Sequence, residues 1–220
     1  MATRFYLPST GAPDVNPPYG AWDNTANAVR RKMVLTRINS ANSFVSSPLS
    51  TSGNILLWQF TSAPIAAQTI SGTVKIQARA GEGHNSLNAY DRVRLVVVSN
   101  DGGTLRGTLL ALAAYKNTEF NVGGDINKTF ADGDALTSVV AQANDRIVLE
   151  LGCNQASYAA IAHIVCGDDS ATDLPENETE TSTYNPWLEF SMNIAWPSAA
   201  AADLQRVLRG VLRGVGRGLR

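Results

Sequence analysis

Histidine and cysteine are scarce, with two of each in 220 residues. Two thiols, Cys153 and Cys166, cannot make a disulfide framework, and no paired CxxC is present to bind a metal. With only His84 and His163 available, there is no HExxH pair, and GxSxG and Walker loops are absent as well. Charged residues make up only 17% of the chain, too few for a coiled coil, while 44% hydrophobic residues are too many for a disordered chain. No apolar run reaches the roughly 18 residues that a membrane-spanning helix needs. The opening MATRFYLPSTGAP also lacks the apolar stretch of about 7–15 residues that marks a secretory signal. These absences point to a non-enzymatic protein with no membrane span and no cofactor.

What is abundant is strand and turn chemistry. TVKIQARA (73–80) places Val74, Ile76 and Ala78 on one face and Lys75, Gln77 and Arg79 on the other. MVLTRIN (33–39), NILLWQFTS (54–62), RVRLVVVSN (92–100), ALTSVVAQ (135–142), RIVLELGC (146–153), YAAIAHIVCG (158–167) and PWLEFSMNIAW (186–196) also read as strands. TLRGTLLALAAY (104–115) fits helix or strand. The Ser/Thr/Pro/Gly segment before residue 54 and residues 116–134 read as loops, and Asn100–Gly103 as a turn. Eight or nine strands joined by several long connections predict an all-β, antiparallel two-sheet sandwich of jelly-roll type over 33–198. No Cys…Trp…Cys pattern supports an immunoglobulin-like alternative. If 146–153 and 158–166 form a hairpin, the two cysteines lie about 20 Å apart at ~3.4 Å per residue. Both are then free, buried thiols.

Residues 1–32 are expected to form an extended arm. Pro8, Pro13, Pro17 and Pro18 interrupt any regular ladder, and Phe5, Tyr6, Tyr19 and Trp22 are interleaved with them. These aromatics either lie on the chain's own body or wrap a neighbouring subunit, so all four are candidate interaction residues.

Few residues offer chemistry. His163 alternates within AAIAHIVC as a half-buried strand residue, and Cys166, three positions on, faces the other way. The acidic segment 168–180 supplies weak calcium candidates in Asp168, Asp169 and Asp173, although it lacks EF-hand spacing. It could equally be a solvated loop or a landing site for a neighbour's arginines. Trp58, Trp187 and Trp196 fall in strand segments, where core positions compete with an exposed carbohydrate platform.

The ending is different in kind. Residues 203–220 hold five Arg and one Asp, a charge of +4, which leaves −5 on the remaining 13 basic and 18 acidic residues. In LQRVLRGVLRGVGRGLR, Leu204, Leu208 and Leu212 recur every four residues. So do Val207, Val211 and Val215, and likewise Arg209, Arg213 and Arg217. The tail 199–220 is thus an amphipathic helix at most, or disordered. Four glycines, each costing about 1 kcal/mol in a helix, keep it from folding alone. Its apolar stripe favours docking on another subunit. Nucleic acid is a second partner, available through the tail only, since the acidic body has no basic patch.

Five stretches carry a resemblance: RFYLPSTGAP, AVRRKMVL, VVSNDGGTLRGTLL, ANDRIVLELG and NPWLEFSMNI. Together they are similar to jelly-roll-like structural proteins of tailed-bacteriophage and prophage virions. The resemblance covers most of 1–196 and leaves out the tail. It implies a virion location, no catalytic residues, self-association (a trimer for a capsid role) and contact with other virion proteins such as the major capsid protein. Capsid decoration or cement is the leading expectation, with a tail or head–tail component next. The alternative from another class is a carbohydrate-binding β-sandwich module, with or without a calcium requirement.

Overall fold

The computed structural model describes residues 2–168, 172–179 and 185–197. The strands are β1 (Thr3–Tyr6), β2 (Val29–Lys32), β3 (Ser40–Ser46), β4 (Gly53–Thr61), β5 (Gln68–Ile70), β6 (Thr73–Glu82) and β7 (Tyr90–Val98). They continue with β8 (Leu105–Ala113), β9 (Asn121–Val122), β10 (Ile126–Ala135), β11 (Val139–Ala141), β12 (Arg146–Gln155), β13 (Ala162–Asp168) and β14 (Trp187–Phe190). A 3-10 turn at Asn85–Leu87 is the one helical element among the described residues, so no described helix is long and apolar enough to cross a membrane.

Two sheets face each other. In the first, β3, β13, β6 and β10 are neighbours in that order, and in the second the order is β4, β12, β7, β8. Lettered B to I in chain order, these eight strands read B-I-D-G and C-H-E-F, which is the jelly roll expected from the strand count. The eight pair antiparallel throughout. The parallel pairs are additions: β2 beside β4, and β9 beside β6. Strand β6 is long enough to hold β10 on one side and two strands in succession on the other. Its Val74–Gln77 half pairs with β14, and its Arg79–Glu82 half with β13.

The core lies between the sheets. In β12, Ile147, Leu149, Leu151 and Cys153 alternate inward and join Ile55, Leu57, Val93, Leu95 and Val97 of the same sheet. From the other sheet come Val74, Ile76, Ala78, Ile164, Leu188 and Phe190. Trp58 stacks on Phe60 at 5.6 Å within this layer, and its indole N–H donates to the Ile164 carbonyl across the sandwich.

Several segments depart from expectation. Residues 33–39 alternate in sequence but form no strand, and contribute only a Tyr6–Val34 bridge. The strand lies just before them, in VRRK, where the backbone of β4 offers an edge. Residues 40–46 and 126–134, expected as loops, lie in β3 and β10. The segment 104–115 resolves its ambiguity as strand β8. The supposed hairpin of 146–153 with 158–166 does not exist. β12 lies in one sheet between β4 and β7, and β13 lies in the other between β3 and β6. Cys153 and Cys166 are nevertheless both free and buried.

Nor are residues 2–32 a detached arm. β1 extends the first sheet through β14, and β2 extends the second through β4. Phe5 is 1% exposed and Trp22 is 9% exposed, so both face their own domain rather than a neighbouring subunit. The driving force is burial of the apolar side chains Phe5, Leu7 and Trp22.

Candidate functional site

The outward-facing residues of β12 are Arg146, Val148, Glu150 and Gly152, and all four are buried, because residues 14–24 run over them. Glu150 is the centre of this seam. Fully buried, it accepts hydrogen bonds from Gly20 N, Trp22 Nε1, Gln59 Nε2 and Arg94 Nη1, at 2.8 to 3.3 Å. A buried carboxylate is tolerated only when its lone pairs are occupied and a countercharge is near, and here both conditions hold. Close approach requires glycine twice. A Cβ at Gly20 would lie 2.7 Å from Arg94 Cδ, and a Cβ at Gly152 would overlap the Ile55 carbonyl and sit 2.7 Å from the Trp22 ring.

Further along the seam, Asp14 bonds Lys32 and Arg146. The hydrogen bond from Lys32 holds its carboxyl below the ordinary value, against a smaller opposing effect of burial. Arg30 lies over the Tyr19 ring at 3.9 Å and bonds Gln59 and the Pro17 carbonyl. Tyr19 is therefore half-buried under an arginine of its own chain.

A second polar cluster occupies the outer side of β1 and β14. Arg4 lies 4.1 Å over the Trp187 ring and bonds Glu189 at 2.9 Å and Asp173 at 2.8 Å. Burial lowers the pKa of Arg4, but its bonds to Glu189 and Asp173 outweigh this and raise it overall. Tyr6 approaches the same Asp173, and burial followed by that negative charge pushes its phenol up. Asp173 is thus engaged by the chain's own Arg4, with Arg37 at 3.8 Å. Asp169 and the Asp168 side chain lie outside what is described, and no group of three His, Cys, Asp or Glu suited to a metal occurs among the described residues.

The tryptophans do not form a platform. Trp58 and Trp187 are fully buried, Trp22 donates to Glu150, and Trp196 packs edge-on to Phe5 at 5.8 Å. This overturns the exposed-platform reading for both: Trp58 lies in the core between the sheets, whereas Trp187, on the same outer face of β14 as Glu189, is covered by Arg4 and donates to the Leu174 carbonyl. His163 does sit half-buried in β13, as its alternation predicts, with Nε2 against Asp125 and Phe44 tilted over its ring. Burial raises the Asp125 carboxyl, but the hydrogen bond and charge of His163 bring it below the ordinary value overall. The tail candidates Leu204, Val207, Leu208, Arg209, Val211, Leu212, Arg213, Val215 and Arg217 fall outside the described residues.

The described residues also shape two concavities apart from these clusters. One is an apolar groove of ≈ 360 Å³ lined by Phe5, Met33, Leu35, Ile38, Ala63 and Trp196. The other is a polar hollow at the far end of β6, lined by Glu82, Asn85, Glu119, Asn121 and Lys128. Neither is foreshadowed in the residue pattern, nor is Glu150, whose single signal is one charge inside the apolar run RIVLELGC.

No family model and no curated protein sequence matches this chain. Among solved structures, one of infectious bursal disease virus Gt strain aligns over 81% of this chain and 47% of its own, at 12% identity and a TM-score of 0.29. A CocE/NonD family hydrolase from Staphylococcus aureus aligns over 86% of this chain and 34% of its own, at 9% identity and a TM-score of 0.30. Infectious Bursal Virus derived T=1 particles align over 93% of this chain and 53% of theirs, at 11% identity and a TM-score of 0.25. This chain therefore spans about a third to a half of the chains it is compared with.

Proposed function

We propose that this protein is a non-enzymatic structural subunit of a virion, in a tailed phage, serving as a capsid decoration or cement protein or as a tail or head–tail component. The observation that carries the reading is a jelly-roll body whose N-terminal strands are built into both sheets, while its exposed large apolar side chains stand on the outside. Jelly rolls serve capsids and lectins alike, so fold alone does not choose between them. The resemblance of RFYLPSTGAP, VVSNDGGTLRGTLL and NPWLEFSMNI to tailed-phage structural proteins supports the first. Burial of Trp58 and Trp187 removes the platform on which the carbohydrate reading rested.

Self-association, as a trimer in a capsid role, belongs to the same proposal. β3 ends its sheet, pairing only with β13 among the described strands. Phe44 on that strand is 64% exposed, and so is Leu49 just beyond it. An edge strand carrying exposed apolar groups is a surface that a second copy or another virion protein can cover.

The test is location. Antibody labelling of particles released by prophage induction in the encoding host is expected to mark intact virions at regular positions. Particles that lack the protein, together with binding on a glycan array, would overturn the reading.

A further inference from the structure

The apolar groove has an unusual address. Its floor is Phe5 and Met33, each 1% exposed, and its wall is Leu35 and Ile38, 46% and 38% exposed. Exposed leucine and isoleucine beside a concave apolar floor make a surface that water solvates poorly. Trp196 forms the opposite wall, and Pro197 is the last residue described before the 23 residues 198–220. The chain therefore leaves the body from the lip of the groove.

We propose that the groove is the docking site of the chain's own C-terminal tail, which lays Leu204, Leu208 and Leu212 against Phe5, Leu35, Ile38 and Trp196. Sequence alone favours another subunit as the partner of those leucines, but the groove at their root is nearer. Leu204 lies seven positions beyond Pro197, a reach of up to about 25 Å when extended, which is ample to turn back onto a site that starts at Trp196. A short tether also gives the tail an effective concentration in the millimolar range over its own groove, which no second copy matches in dilute solution. The four glycines that prevent the tail from holding a helix alone permit close approach of its backbone to the groove wall. This inference stands apart from the virion reading and holds whatever the subunit assembles into.

Disulfide trapping in the full chain tests it. Cys153 and Cys166 are buried and do not compete, so Ile38→Cys can be paired with Leu208→Cys. The control pairs Leu208→Cys with Val122→Cys, exposed beside Glu82, six positions along β6 from Ile76, the neighbour of the β14–β1 end, and so about 20 Å away. Under mild oxidation at low protein concentration, the Ile38–Leu208 pair is expected to close within one chain at least ten-fold faster than the control. Equal rates, or cross-linked dimers in place of closed monomers, would overturn the proposal. Should the cysteines disturb the groove, the full chain carrying Leu204→Asp, Leu208→Asp and Leu212→Asp gives a second readout. Its binding of an apolar dye is expected to rise about two-fold, and unchanged binding would count against the groove as the tail's seat.

Discussion

Trp22 Nε1 donates to Glu150 Oε2 at 2.8 Å, and this bond joins residues 128 positions apart. It ties the N-terminal segment to the outer face of β12 at a carboxylate that also holds Gly20, Gln59 and Arg94. Glu150→Ala leaves the Arg94 guanidinium, the Trp22 indole and the Gly20 amide without their acceptor. Loss of one partner from such a buried set costs about 3–5 kcal/mol. Trp22→Phe removes one neutral donor and is expected to cost about 1–3 kcal/mol. Denaturant midpoints measure both. Limited proteolysis should cut between residues 10 and 25 in Glu150→Ala but not in the wild type. Equal resistance would mean that the seam is held elsewhere.

Arg4 and Asp173 carry the second prediction. Asp173 was the calcium candidate that the described residues place, and the Arg4 guanidinium already occupies its carboxylate at 2.8 Å, with Glu189 sharing the same arginine. A cation entering there would have to displace a guanidinium stacked on Trp187. The thermal midpoint is therefore expected to be the same in about 1 mM calcium, the range of weak extracellular sites, as in chelator. Arg4→Met is expected to lower it, because two carboxylates then lose their shared cation. A calcium-dependent rise in the wild type would restore the acidic segment as a metal site.

Much of the sandwich was legible because its central strands carry uninterrupted apolar alternation. LVVV in β7 and IVLEL in β12 have no plausible place outside a sheet. The edges were not legible, for a physical reason. β3 is SANSFVS and β10 is INKTFADGDA, and such polar, small residues suffice when only one neighbour has to be satisfied. Residues 33–39 show the converse, since alternation without a free sheet edge leaves no ladder to join. Glu150 was missed because one acid in a strand reads as solvent-facing, and only the chain folded over it shows otherwise. The loss of the 146–166 hairpin has the same root. The Ala156–Ile161 connection crosses from one sheet to the other, and turn residues do not say which sheet a strand rejoins.

The two thiols yield a chemical prediction. Burial pushes Cys153 up to about 12 and lifts Cys166 well above the ordinary thiol value, so neither carries appreciable thiolate at neutral pH. Native protein is expected to leave both unmodified by a thiol-specific disulfide reagent over hours at pH 7.5, and to release two equivalents once denatured. Rapid labelling of one cysteine in the native state would show that its strand opens locally.

Glu82 yields the pH prediction. It is 2% exposed at the end of β6, where Oε2 accepts from Ala89 N and Oε1 has no partner among the described residues. Burial raises its pKa, the Ala89 bond lowers it, nearby Glu119 raises it and His84 lowers it, and the balance lies above the ordinary carboxylate value. The folded state therefore binds this proton more tightly than the unfolded chain does. The sign follows: the contribution of Glu82 is most favourable below its unfolded pKa and is lost as pH rises through its folded one. Above its folded pKa the native protein carries a buried, half-satisfied charge. Glu82→Gln keeps an oxygen for the Ala89 amide and removes that charge, so it is expected to be more stable than the wild type at pH 7, by about 1 kcal/mol. The advantage should shrink as pH falls and the wild-type carboxyl takes up its proton. Paired denaturation curves at pH 7 and pH 4.5 measure this directly. A constant difference across that interval would mean that the substitution acts through packing, with the Glu82 charge already solvated through the hollow it lines with Glu119 and Lys128.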